Sequence, residues 1–233
     1  MIETLAKRHV VVTGAGGGLG GAVVERLVGA GATCHLPQRR RDDRGQAGGL
    51  VGPSVHLVPD VDLGDEEAVA GFYGDLPPLW ASIHLAGGYA GAAFVDTSLA
   101  DFSLQIEMNL LTAFLCCREA VRVLRRTGQG GRLLNVTSRA ADEPTAGAIA
   151  YGVAKSGVAM LTRALAKEVK GDGILVNALA PSIIDTPANR AAMPRADFGR
   201  WAKPAELAEI IAFLVSPENT VTTGAVVPAY GRE

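Results

Sequence analysis

The sequence predicts a doubly wound, parallel α/β sheet with helices on both faces. Short apolar runs alternate with longer helical patterns along the chain. Most of those runs carry Val, Ile and Leu in series rather than in alternation, as strands covered on both faces do. The first run also passes straight into a glycine loop that opens a helix. The expected strands are His9–Thr13, Thr33–Leu36, Val55–Val58, Ser82–Leu85, Arg132–Thr137, Ile174–Ala178 and Ala225–Val227. Between them lie expected helices at Gly18–Ala30, Asp65–Tyr73, Leu99–Arg126, Ala148–Lys170 and Ala205–Leu214. This β-α-β-α order argues for a parallel sheet built from crossovers. The glycine-rich stretch Gly45–Pro53 sits between two strands and reads as a surface loop, so residues 1–233 are expected to form a single domain.

Composition narrows the class. The 233 residues are 48% hydrophobic and 20% charged, which excludes a disordered chain and suits a globular fold. Net charge is −2, so nothing in bulk electrostatics favours nucleic acid or an acidic membrane, and neither is expected as a partner. No apolar run approaches the ~20 residues of a membrane span. The N-terminal apolar run, Val10 to Val12, is too short for a signal peptide, and cytoplasm is the expected compartment. Cys34, Cys116 and Cys117 are odd in number and lack metal-binding spacing, so they are expected as reduced, buried thiols and no metal site is expected.

After the first strand come Gly14-Ala15-Gly16-Gly17-Gly18-Leu19-Gly20-Gly21. Glycines permit a tight strand-to-helix turn and let backbone N–H groups and the positive helix end approach a pyrophosphate. Two registers fit: Gly16-x-Gly18-x-x-Gly21, and Thr13-Gly14-x-x-x-Gly18-x-Gly20. The second begins where the strand stops and is preferred.

Ser138 lies at the carboxyl end of an expected strand, the edge where open α/β sheets place ligands. Tyr151 and Lys155 are four apart and share one helix face. A phenol titrates near 10, so bringing it to neutral pH requires roughly 4 kcal/mol. An exposed pair one turn apart supplies only about 0.3–0.5 kcal/mol. The pair therefore makes chemical sense where the ammonium is desolvated and a further positive charge, such as an oxidised nicotinamide ring, lies beside it.

Taken in order, Thr13–Gly20, Asp60-Val61, Asn109, Ser138, Tyr151–Lys155, Asn177–Pro181, Thr186, and Thr223-Gly224 with Gly231 resemble the short-chain dehydrogenase/reductase family, over nearly the whole chain. The resemblance implies a Rossmann-type fold and hydride transfer between a nicotinamide cofactor and an alcohol or carbonyl. By that resemblance Tyr151 is the general acid/base. Lys155 lowers its pKa and binds the nicotinamide ribose, Ser138 holds the substrate oxygen, and Asn109 anchors a water relay. Gly14, Gly18, Leu19, Gly20, Asp60, Val61, Ala86, Gly87, Pro181 and Thr186 are assigned to the cofactor, with Tyr151 and Lys155. The family's Asn-Asn-Ala-Gly is here His84-Leu85-Ala86-Gly87, and His84 is expected to bond to backbone. The usual Pro-Gly is Pro181-Ser182. A non-catalytic nucleotide-binding module, or an isomerase or dehydratase that retains its cofactor, would use the same fold.

Counting from Gly31-Ala32, the position where NAD-preferring relatives carry an acid is Gln38, followed by Arg39-Arg40-Arg41. Loss of the acid and gain of a guanidinium favour NADP(H), with NAD(H) possible. A lid over a small carbonyl or alcohol substrate is expected at about 182–203, with Tyr89 and Phe94 contributing to specificity and Arg190, Arg195 and Arg200 available to an anionic group. The helices at Leu99–Arg126 and Ala148–Lys170 are apolar over more than one face. Together with the habit of relatives, this implies a homodimer or homotetramer.

Overall fold

The computed structural model describes residues 5–39 and 52–232. Arg40, Arg41 and most of the glycine-rich stretch lie outside the described residues. Seven parallel strands form one sheet in the order β3-β2-β1-β4-β5-β6-β7. They are β1 (His9–Thr13), β2 (Thr33–Pro37), β3 (Val55–Val58), β4 (Leu79–His84), β5 (Gly131–Val136), β6 (Ile174–Pro181) and β7 (Val226–Ala229). The order reverses between β1 and β4, which makes the carboxyl ends of those strands the topological switch point.

The helices are α1 (Gly20–Val28), α2 (Glu66–Gly74), α3 (Leu99–Ile106), α4 (Thr112–Thr127), α5 (Ile149–Glu168), α6 (Pro187–Ala192) and α7 (Pro204–Val215). One sheet face buries Val10, Val12, Leu36 and Ile83 under α1 and α7. The other buries Val11, Leu133 and Val176 with residues of α2 and α4 and the C-terminal end of α5. Burial on both faces is why the strands read as continuous apolar runs.

Strand ends shifted where pairing, not composition, decides them. β4 begins at Leu79 and stops at His84, and β6 continues to Pro181 because β7 pairs with it through Ala229. The helix expected over Leu99–Arg126 is interrupted by a π-type turn at Glu107–Leu111. The whole run Leu99–Thr127 is, by length and composition alone, apolar enough to cross a membrane, an exception to the sequence expectation. Here it lies against β4, α2 and α5. α6 was not expected; Thr186 caps it by accepting from the Asn189 N–H, and Pro187 occupies its first position.

Candidate active site

The glycine loop is shaped by close approach. Gly14 has φ +66°, and a Cβ there would lie 2.6 Å from the Ala86 nitrogen. A Cβ on Gly20 would strike the Ala15 backbone, and one on Gly18 would meet the Thr186 methyl at 2.6 Å. Gly21 has nothing within 4 Å of that point. Steric need therefore falls on Gly14, Gly18 and Gly20. Leu19 stands at the N-cap of α1 without a capping side-chain bond, and the first turn carries no acidic residue. A glycine cradle in front of an uncapped helix start fits a pyrophosphate.

Around that cradle, the Ala86 N–H donates to Thr13 Oγ1 at 3.3 Å. Thr186 is buried against Gly18. The ends of β2 and β3 are tied by the Gln38 N–H donating to the Val58 carbonyl and the Val61 N–H to the Gln38 carbonyl. Asp60, between them, has φ +62°. Arg39 is exposed just past β2.

Three residues in the second half of the chain, Ser138, Tyr151 and Lys155, converge at the carboxyl edge of β5. Tyr151 faces the Ser138 hydroxyl; burial pushes the phenol up from its ordinary value of 10, and Ser138 opposes that shift. Lys155 is 6% exposed, and burial brings its ammonium down to about 8. Its Nζ donates to the Val136 carbonyl at 2.9 Å and stands 5.8 Å from the centre of the Tyr151 ring. The desolvated ammonium required for phenol chemistry is therefore in place. Within the chain alone, however, the phenol is held in its protonated form.

Asn109 sits inside the π-type turn, fully buried. Its Nδ2 donates to the Gly88 carbonyl at 3.0 Å and to the Gln105 carbonyl at 3.1 Å, while Oδ1 accepts from the Gly88 N–H at 3.2 Å. A Cβ on Gly87 would lie 2.5 Å from that oxygen. Asn109 thus fixes the loop after β4, and with it Tyr89, whose ring meets Tyr151 edge-on at 5.2 Å. Gly88 carried no signal in the sequence, because its partner is 21 positions away.

Thr137 was also missed. Its hydroxyl donates to the Lys155 carbonyl at 2.7 Å. Pro181 ends β6 beside this site. Asn177 and Thr223 stitch β6 to the approach of β7: Asn177 Nδ2 donates to the Thr222 carbonyl, and the Val176 N–H to Thr223 Oγ1. His84 corrects the sequence expectation. It bonds to side chains, Ser82 and Asn135, because it is fully buried between strands whose own backbone groups are already paired. Among the described residues, no group of three or more His, Cys, Asp or Glu is placed to hold a metal ion.

Comparison with known proteins gives concordant matches. The family model described as Enoyl-(Acyl carrier protein) reductase matches residues 14–231. Cis-4-hydroxycyclohexanecarboxylate dehydrogenase of Sinomonas cyclohexanicum is 33% identical, across 99% of this chain and 98% of that protein. L-xylulose reductase of Bos taurus is 30% identical, across 97% and 96%. A short-chain type dehydrogenase/reductase from Mycobacterium ulcerans superposes with a TM-score of 0.90 at 25% identity, covering 98% of this chain and 90% of that one. With the sheet, the glycine turn and the Ser138–Tyr151–Lys155 group on one edge, the chain belongs to the short-chain dehydrogenase/reductase family, as a nicotinamide-dependent oxidoreductase acting between alcohols and carbonyls.

Proposed function

We propose that this chain interconverts a small ketone or aldehyde with its alcohol, that Tyr151 moves the proton, and that NADP(H) is preferred over NAD(H). The observation that carries the catalytic part is the Ser138–Tyr151–Lys155 group at the carboxyl edge of β5, with Ser138 and Tyr151 half-buried over a buried Lys155. The bound nicotinamide supplies or accepts the hydride. Ser138 orients the substrate oxygen and steadies charge developing on it. The protonated phenol gives its proton to that oxygen during reduction and takes one from the alcohol during oxidation. Lys155 is one helical turn away and places a positive charge where it favours the phenolate. Asn109 holds the loop that carries Gly87 and Gly88, and by the family resemblance supports proton exchange with solvent.

Gly14, Gly18, Leu19, Gly20, Asp60, Val61, Ala86, Gly87, Pro181 and Thr186 would hold the dinucleotide together with Tyr151 and Lys155. Preference for NADP(H) rests on Gln38 in place of an acid and on exposed Arg39 beside it. We read residues 1–233 as a single domain, and the segment at about 182–203 as a lid over the substrate. Val153 and Met160 on α5 and Phe114 on α4 are 47%, 62% and 43% exposed, which supports a homodimer or homotetramer. Cytoplasmic placement is supported by three buried free thiols.

The test is turnover of a small panel with each cofactor: cis-4-hydroxycyclohexanecarboxylate, L-xylulose and cyclohexanone. Turnover of any member, with a lower KM for the phosphorylated cofactor and loss of that gap in Arg39→Ala, is the expected result. Equal use of both cofactors contradicts the preference. Cofactor binding without turnover of any compound contradicts the enzymatic reading and favours a nucleotide-binding module.

A further inference from the structure

Tyr73, Ser82, His84, Asn135 and Thr162 form one continuous line of hydrogen bonds through the interior, from α2 across β4 and β5 to α5. Tyr73 Oη lies 2.7 Å from Ser82 Oγ, and Ser82 Oγ 2.9 Å from His84 Nε2. His84 Nδ1 lies 2.8 Å from Asn135 Oδ1, and Asn135 Nδ2 2.9 Å from Thr162 Oγ1. Chemistry allows one direction. The Thr162 hydroxyl donates to the Val158 carbonyl at 2.8 Å, so it accepts from Asn135. The amide nitrogen therefore faces Thr162 and the amide oxygen faces His84. An amide oxygen only accepts, so His84 Nδ1 carries the proton. The ring is neutral, since burial brings its pKa down to about 4. Nε2 is then bare and accepts from Ser82, whose oxygen accepts from Tyr73.

The other group facing the ring is Cys117, with Sγ 3.5 Å from Nδ1, and Cys116 lies further along the line, next to Tyr73. Burial pushes the two thiols up, Cys117 to about 12, and Tyr73 far above its ordinary value, so none of them brings a charge.

The line matters because of where it ends. His84 and Asn135 are register partners on neighbouring strands. Asn135 and the two residues after it each grip α5, and Ser138 follows directly, facing Tyr151. Asn135 holds Thr162, the Val136 carbonyl takes Lys155 Nζ, and the Thr137 hydroxyl holds the Lys155 carbonyl. We propose that neutral, Nδ1-protonated His84 is a positioning residue for Ser138, Tyr151 and Lys155, because it fixes the Asn135 carboxamide that begins this series of anchors. The role rests on the catalytic reading given above. Without a donor at this position the Asn135 oxygen keeps only the weak Cys117 thiol donor at 3.4 Å, the amide loses its fixed orientation, and α5 loses its tether at Thr162.

Two readouts test this. Nitrogen NMR of the unliganded wild-type protein, with the His84 signal assigned by its loss in His84→Asn, is expected to show the Nδ1–H tautomer near neutral pH. An Nε2–H tautomer or an imidazolium overturns the proposal whatever the turnover. In kinetics with whichever panel compound is turned over, His84→Asn keeps a donor and is expected to hold kcat within about 3-fold, whereas His84→Leu lowers it by about 10-fold or more. Cofactor KM stays within about 2-fold, and the alkaline limb of the kcat profile moves. Thr162→Val, which cuts the far end of the line, is expected to act in the same direction if His84→Leu does not fold. A folded His84→Leu or Thr162→Val protein with unchanged kcat and pH profile overturns the proposal. Absence of turnover in the wild type overturns the catalytic reading and the positioning role with it, while the tautomer still reports on the hydrogen-bond line.

Discussion

Lys155 bears the sharpest conflict between stability and chemistry in the chain. Its folded pKa of about 8 lies below the ordinary 10.5, so folding disfavours the charged form. That destabilisation is full below about pH 8 and fades as pH rises toward 10.5. Lys155→Met should therefore raise stability near neutral pH by about 1–2 kcal/mol in urea denaturation, even after loss of the bond to the Val136 carbonyl, while abolishing turnover. A variant less stable than wild type at pH 7 contradicts this account of the site. The phenol makes a second prediction at the same scale. Since the chain holds Tyr151 protonated, reduction should run across neutral pH and fail on the alkaline side. Oxidation should have its optimum at higher pH, measured as two initial-rate profiles. At this scale the Tyr151–Lys155 spacing was readable, and so was the need for a dry ammonium. The Val136 carbonyl that receives the ammonium was not, because a backbone acceptor leaves no mark on residue type.

The glycine turn puts two equivalent-looking residues to different uses. Gly14→Ala would combine a positive φ with a clash against Ala86, an expected loss of about 2–4 kcal/mol. Gly21→Ala, inside α1 with open space around it, should be neutral or stabilising by up to about 1 kcal/mol. Thermal or chemical denaturation of the two variants separates the two glycine registers directly. Elements were legible where burial on both faces left an unbroken apolar run, as in β1, whose expected and observed bounds agree; those of the half-exposed edge strand β3 agree as well. They were less legible where a distant partner sets the geometry. The π-type turn at Glu107–Leu111 packs Asn109 against Gly88, and no local pattern of period 3.6 announces it. β6 outran its expected end because the pairing that extends it comes from β7, some fifty residues later.

Across the whole molecule, histidine titration sets the acid limit. His9 Nδ1 lies 3.0 Å from His35 Nε2, and the His35 ring stacks on His56 at 5.1 Å, across β1, β2 and β3. Burial and these neighbours bring His35 down to about 4, and burial does the same for His84. Both folded values lie below the ordinary 6.5, so the stability they carry is full above about 6.5 and is lost as pH falls toward 4. Denaturation midpoints should fall over that window, and His35→Phe should flatten the slope; a slope unchanged by that variant contradicts the assignment. The sheet, its parallel order and the meeting of Ser138, Tyr151 and Lys155 at one edge were foreseeable from strand patterning and from the motif order. The histidine row was not, because it depends on the register of three strands.

The central claim is that the Tyr151 phenol transfers the proton while the rest of the fold binds the cofactor, and the most direct measurement is Tyr151→Phe. NADPH affinity and steady-state turnover should be measured side by side with wild type. The account predicts affinity within about 3-fold and kcat reduced by about 10³-fold. Turnover close to that of wild type would contradict it.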